Sequence, residues 1–459
     1  MKKILLLVMF AVLALPCVVL SACGEDNIGT TAKDAVKCHY ASANCDGICD
    51  KCSEKMYDGD MTFTLSDNQK YYTVSGSNLE GDVVLPAYFK DTGETEYLPV
   101  LKADSLNGEE LTSIAYHKNF EEVKVGNAPK LKKITVDSEN PNLKVSDGVL
   151  FSKNGKTLIW YPALCEKESY TVPADCKEID SRAFYQVTKL KRLTVPQTVE
   201  EVASSFIFES KIDSVEILAP LNDITFYGSE FREIKIENIQ KFPQFYDMQS
   251  LEKAYVKGSY EKIESGSFYN CVNLEKTELN DSYESIESSA FYNCIALKKF
   301  TVPTSVTSIG NSAFSGAGLT EFTIPDTVKK IELLAFSNCV GLTEIVIPST
   351  VEELSELAFT GCVNIKNYVS YTKTILSLYD FQKLERIEIH NADTINSFFL
   401  TNRELPVKVY IDGVKTINAL AFERLAPGSE IFVKKSIKPA EWDQTWCDTS
   451  VTVHWNSSF

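Results

Sequence analysis

One phenylalanine returns at a near-constant interval through the second half of this chain, and that interval restricts the fold more than any other feature. Phe268, Phe291, Phe314, Phe336 and Phe359 are spaced 23, 23, 22 and 23 residues apart. Five positions before each stands a branched apolar residue: Ile263, Ile286, Ile309, Ile331 and Leu354. A small residue directly precedes each Phe: Ser267, Ala290, Ala313, Ala335 and Ala358. An apolar column follows at Leu274, Leu297, Leu319, Leu342 and Ile365. Self-similarity at this period is the signature of stacked coils.

The columns have physical meanings. Phe300-Thr301-Val302-Pro303, Phe322-Thr323-Ile324-Pro325 and Ile345-Val346-Ile347-Pro348 alternate like short strands with one buried face. The closing Pro has no N–H to continue a ladder. Two residues after the Phe comes Asn270, Asn293, Gly316, Asn338 or Gly361, the residue types that best tolerate positive φ. A handful of apolar side chains cannot offset the entropy of ordering one such unit. Each unit therefore needs its neighbours, as in a solenoid. The expected fold is a β-rich repeat solenoid with short strands and short helical turns.

The motif, roughly I-x-x-x-A-F-x-N/G-C-x-x-L with an I-P strand end, resembles the BspA-like (type 5) bacterial leucine-rich repeats. Outlying copies stand at Ile179 with Ala183-Phe184 and at Ile417 with Ala421-Phe422. Upstream, Ile134-Thr135-Val136 through Asp147-Gly148-Val149 and Leu158-Ile159-Trp160 looks like an insertion unit of that family. Trp442, Trp446 and Trp455 are similar to its terminal unit and would cap the last coil. The resemblance spans Tyr71 to Trp455 and implies a surface protein for adhesion and attachment. On this reading the solenoid covers residues 56–438 and the cap 439–459.

The period degenerates in two zones, 199–250 and 368–400, where aromatics crowd. Shortened coils with buried rings are one account, and an exposed patch for a ligand is the other. Under the second account Phe242, Phe245, Tyr246, Tyr371 and Tyr379 are the candidate contacts, because aromatics dominate binding hot spots. Aligning the repeats points two residues per strand outward: Lys276 and Glu278, Lys299 and Thr301, Glu321 and Thr323, Glu344 and Val346.

The N-terminus reads as an address. Met1-Lys2-Lys3 and an apolar run from Ile4 to Leu20 form an export signal over 1–22. Leu20-Ser21-Ala22-Cys23 resembles a bacterial lipobox, which implies lipid on Cys23; an uncleaved membrane anchor is the alternative. Either reading places the body outside the cytoplasmic membrane, lipid-anchored at the cell surface in the first case. Residues 23–36 then serve as a tether, followed by a small module at 37–55. There Cys38, Cys45, Cys49 and Cys52 fit a structural zinc site or two disulfides nearly equally well. Cys271, Cys294, Cys339 and Cys362 share a column with Ala317, which marks small buried fillers over inter-coil disulfides or metal ligands. Cys165 and Cys176 are close enough in sequence to pair.

Lys plus Arg number 46 against 63 Asp plus Glu, a net charge of −17, which opposes nucleic-acid binding. Four scattered histidines make a His-rich metal enzyme a poor fit. Acidic doublets such as Glu200-Glu201 and Glu352-Glu353 share their column with Lys329-Lys330, so that column is a solvated face. No nucleophile elbow, zinc-protease helix, P-loop or dinucleotide fingerprint occurs. No catalytic residue is assigned, and no cofactor is expected beyond the possible structural zinc. The expected function is binding of a protein or glycan on host or bacterial surfaces. An envelope-assembly scaffold is the alternative, and a surface hydrolase is a more distant one.

Overall fold

The computed structural model describes residues 58–89, 96–221, 223–376, 378, 380–401 and 404–459. The expected signal, lipidation site Cys23, tether and Cys38–Cys52 module lie outside the described residues, as does Tyr379. The chain divides into two compact units. One runs up to Lys167 and takes in Asp175–Lys189; the other joins Glu168–Ala174 to Leu190–Phe459.

In the first unit, Tyr72–Val84, Glu110–Tyr116 and Lys133–Val136 run parallel, with Ser113 opposite Lys133. Leu98–Leu106 flanks Tyr72–Val84 on its other edge, and Asp58–Leu65 folds back on the same strand antiparallel. Leu79, Leu106, Leu111, Ile114 and Leu131 are wholly buried between these coils. The insertion unit is a meander of Leu143–Ser146, Val149–Ser152 and Thr157–Trp160. Its first turn, Asp147-Gly148, has φ of 56° and 85°, the paired positive values that a tight two-residue hairpin requires. Cys165 and Cys176 are buried free thiols, not a pair.

The second unit carries the regular repeats. Six parallel strands, from Ser169–Thr171 to Lys276–Leu279, form one ladder, and six from Glu344–Ile347 to Thr452–Trp455 form another. A second wall consists of two-residue strands at Lys262–Ile263, Ser285–Ile286, Ser308–Ile309, Lys330–Ile331 and Glu353–Leu354. These hold the branched apolar column in register, one residue above the next. Phe245, Phe268, Phe291, Phe314, Phe336 and Phe359 stack through the interior, with successive ring centroids 5.0, 5.1, 5.1, 5.4 and 4.7 Å apart.

The chain differs from the expected fold in four respects. First, no described residue is helical. Instead the N–H groups of Phe268, Phe291, Phe314 and Phe336 donate across to the small residue of the next coil, as Phe291 does to Ala313 O at 2.7 Å. That bond takes the donor an internal helical turn would need. Second, Phe242 and Phe245 are core residues, 2 % and 0 % exposed, and neither is available to a ligand. Phe226 stacks on Phe245 at 5.7 Å, so the 199–250 zone is a set of shortened coils that continue the Phe stack.

Third, Phe300–Pro303 and Phe322–Pro325 form no strand, and only Glu344–Ile347 among the three compared stretches joins a ladder. Elsewhere the inward position carries residues such as Val215, Ile234 or Ile345. Phe300 instead wedges between Phe291 and Phe314, at 4.7 and 5.2 Å, and Phe322 between Phe314 and Phe336, at 5.3 and 4.7 Å. Ring size alone does not exclude a residue from the ladder, since buried Tyr368 holds the inward position of Asn367–Ser370; Phe300 and Phe322 differ in that each ring packs against two layers of the Phe stack. Fourth, the cap is itself a coil. Thr452–Trp455 pairs with Glu430–Val433, while buried Trp442 and Trp446 close the interior, Trp446 meeting Phe422 edge-on at 5.8 Å.

Candidate functional site

The outward positions lie where the repeat alignment puts them. Lys276, Glu278, Lys299, Thr301, Glu321, Thr323, Glu344 and Val346 are all exposed. The strand face of the second unit changes character along its length. At its C-terminal end, register aligns Val346, Val369, Glu388, Tyr410, Phe432 and His454 in one lane. The side chains there point away from the core because Ile387, Val409 and Ile431, one residue earlier, are buried.

This lane is aromatic. Tyr410 stacks on Phe432 at 4.9 Å and Phe432 on His454 at 4.6 Å. In the adjoining lane Tyr371 stacks on His390 at 4.6 Å. Phe459 meets Tyr410 edge-on at 5.2 Å and approaches His390 at 6.5 Å. Arg386 lies over the Tyr410 ring, 4.0 Å from its centroid, and its Nε donates to Glu388 at 2.7 Å. Partial burial pushes the Glu388 carboxyl up, but hydrogen bonds from Arg386 and His390 outweigh it and hold the group below its ordinary range. His454 Nε2 lies 3.0 Å from Glu430, and Lys434 bridges Asp412 at 2.9 Å. The surface here consists of stacked rings bordered by ion pairs.

A second aromatic array lies on the turn side. Tyr246, Tyr269 and Tyr292 each follow a motif Phe and stack in series, with centroids 4.8 Å apart at both steps. Tyr246, at the end of the row, is 64 % exposed. Of the five candidate contacts, Tyr246 and Tyr371 thus reach the surface, Phe242 and Phe245 do not, and Tyr379 is outside the described residues. Tyr246 and Tyr371 belong to different arrays. Tyr269, Tyr292, Tyr410, Phe432 and His454 were missed by looking only where the period failed. Their signal was available in the repeat: the position after the motif Phe, and the second outward strand position.

The thiol column is buried, and each sulfur hydrogen-bonds to a carbonyl of the preceding coil. Among the described residues, no group of three or more His, Cys, Asp or Glu is placed to hold a metal ion, and no helix is long and apolar enough to cross a membrane.

With this geometry in hand, the chain is placed by comparison. It belongs to the BspA type leucine rich repeat family, whose model matches six copies over residues 163–265, 238–366 and 307–427, more than half of the chain. Solved structures similar to it include a leucine-rich repeat protein from Bacteroides ovatus, 17% identical, covering 86% of this chain and 98% of that one with a TM-score of 0.47. Another is a leucine-rich repeat protein from Eubacterium ventriosum, 20% identical, covering 58% of this chain and 96% of that one, TM-score 0.42. A third is a leucine rich cell surface protein from Faecalibacterium prausnitzii, 18% identical, covering 88% and 96%, TM-score 0.26. No curated protein matches the chain.

Proposed function

We propose that this chain is a lipid-anchored cell-surface protein that binds a macromolecule, a protein or glycan on host or bacterial surfaces, without catalysing a reaction. The export signal and the lipobox-like Leu20-Ser21-Ala22-Cys23 support the anchoring. Two acyl chains would suffice to hold the body at a membrane. The observation that carries the binding role is the outward lane Tyr410–Phe432–His454 with Tyr371 and His390 beside it. Stacked rings at outward strand positions contribute little to the core. Large amphipathic side chains at a surface are the usual source of binding energy.

The test is attachment of beads coated with the mature chain to host and bacterial cells. Wild-type beads attach, and Tyr410→Ala with Phe432→Ala lowers attachment at least about tenfold, the loss of one or two hot spots. Attachment unchanged by that double variant would refute the assignment of this lane. Crosslinking only to components of the producing cell's own envelope would favour the scaffold reading.

A further inference from the structure

The turn-side rings are interrupted at one step. Phe208 and Tyr227 stack with centroids 5.3 Å apart, and Tyr246, Tyr269 and Tyr292 stack in series beyond them. The coils of Tyr227 and Tyr246 adjoin, because Phe226 and Phe245, one residue earlier, stack at 5.7 Å and Thr225 bridges Gln244 in parallel. Yet among the described residues Tyr227 meets only the Phe208 ring, and Tyr246 only that of Tyr269. Phe208 lies one coil before Tyr227, and Tyr269 one coil after Tyr246, so both free faces look into the same step. The two residues are 70 % and 64 % exposed, the most exposed aromatic side chains among those described.

Elsewhere this chain covers such faces with a guanidinium group. Arg386 lies 4.0 Å over Tyr410, where the Tyr410–Phe432–His454 stack ends, and Arg182 lies 5.4 Å over Tyr185 in the first unit. Among the described residues no Lys or Arg lies over Tyr227 or Tyr246. The charges around the step also suit a cation. Asp247, directly after Tyr246, accepts from Asn270 and Gln249 through Oδ1 alone, which leaves Oδ2 without a partner among the described residues. Glu209 lies against Gly228, next to Tyr227: a Cβ on that glycine would come within 2.9 Å of the Glu209 Cγ. Lys211 and Lys241, from the same coils, are matched by Glu230 at 2.9 Å and Asp223 at 3.5 Å. Ring faces are themselves electron-rich, so rings and carboxylates here attract the same kind of group.

We propose that a partner protein sets an arginine side chain into this step. Its guanidinium lies against the free faces of Tyr227 and Tyr246, and its N–H groups donate to Asp247. A flat cation can stack on a ring and still donate in its own plane, which a lysine ammonium cannot do. Tyrosine and arginine are also the residues that most often anchor interfaces. This site lies apart from the strand-face lane and does not rest on it.

Fluorescence anisotropy of the full mature chain with a labelled Gly-Ser-Gly-Arg-Gly-Ser-Gly peptide tests the proposal. About 0.15 M salt screens diffuse attraction to an acidic protein. Saturable binding is expected, and weaker binding when lysine replaces the arginine of the peptide. Tyr227→Ala with Tyr246→Ala should weaken it about tenfold, the loss of two cation–π contacts. Tyr227→Phe with Tyr246→Phe keeps both faces and should bind as the wild type does. Tyr410→Ala with Phe432→Ala should leave binding unchanged, so this site stands or fails separately from the attachment lane. No saturable binding, equal affinity for the lysine peptide, unchanged affinity in the double alanine variant, or tighter binding of phosphocholine than of the arginine peptide would each overturn the proposal.

Discussion

Cys294 donates its thiol hydrogen to the backbone carbonyl of Phe268, 3.1 Å away and one coil back. Cys271, Cys339 and Cys362 repeat this bond to Phe245, Phe314 and Phe336 at 3.0–3.1 Å. The column thus serves as filler and as inter-coil clasp together. Burial pushes the Cys294 and Cys339 thiols well above their ordinary range, and those of Cys271 and Cys362 up to about 12. Thiolate is the reactive form. Iodoacetamide at pH 8 should therefore leave all four unmodified in the folded chain and label them after unfolding, as mass spectrometry would read. Labelling in the folded chain would show the column is open to solvent.

The same column separates packing from hydrogen bonding. Ala317 already occupies it, so Cys294→Ala removes a weak bond and a small volume, for a cost of about 1 kcal/mol in urea unfolding. Cys294→Leu must enter a space with no slack and should cost about 1–3 kcal/mol.

Phe291 stands mid-stack, with Phe268 and Phe314 each at 5.1 Å and no exposed surface. Phe291→Ala opens a cavity shared by three coils. Its expected cost is about 3–5 kcal/mol. Because each coil rests on its neighbours, protection from hydrogen exchange should fall in the coils on both sides, not only at the mutated one.

Turn residues give a sharper contrast. Gly316 has φ of 72° where Asn270, Asn293 and Asn338 have 57°, and a Cβ there meets only ordinary van der Waals contacts. The constraint is backbone alone. Gly316→Asn should change stability by less than about 0.5 kcal/mol, while Gly316→Val should cost about 1–2 kcal/mol. Equal melting temperatures for the two variants would contradict this.

Acid stability has a marked group in the first unit. Partial burial and the nearby Glu178 push the Asp180 carboxyl up to about 6. Since the folded chain holds this proton more tightly than the unfolded one, the group's contribution is full below about pH 4. It is lost as pH rises through about 6. Asp180→Asn should flatten that part of the stability profile in a pH series of urea melts and stabilise the chain at pH 7.

How much of this was readable beforehand follows from what repetition can and cannot encode. The columns of Ile, Phe and Leu dictated the stack, because each recurs where its neighbour's equivalent lies one coil away. The positive-φ turn was legible from Phe268 to Phe359, where only Asn and Gly fill it, but not in the outlying coils, where Gln186, Asp247 and Arg424 take the same conformation. What escaped was decided by single side chains against that average. Phe300 and Phe322 fit the apolar alternation of a strand, yet each ring packs against two members of the Phe stack. Phe242 and Phe245 sat where the period failed, which resembles a surface departure until Phe226 shows the shortened coils continuing the same interior. The strand-face aromatics were hidden for the opposite reason: Tyr410, Phe432 and His454 occupy regular positions where variation carries no structural signal.

The strand face of the second unit is interrupted between Lys276–Leu279 and Glu344–Ile347. Amides of Arg386–His390 are held in a parallel ladder with a partner on each side, Asn367–Ser370 and Lys408–Asp412. Those of Lys299–Val302 and Glu321–Ile324 have no such partner. Exchange protection follows hydrogen bonding and burial. Hydrogen–deuterium exchange should therefore label peptides covering 299–302 and 321–324 within the earliest time points. Peptides covering 386–390 should resist for orders of magnitude longer. Phe300→Val with Phe322→Val removes the wedges and should slow exchange at both segments as they return to the ladder, even though the lost rings lower the melting temperature. Fast exchange persisting in that variant would mean that Phe300 and Phe322 are not what holds the strand face apart.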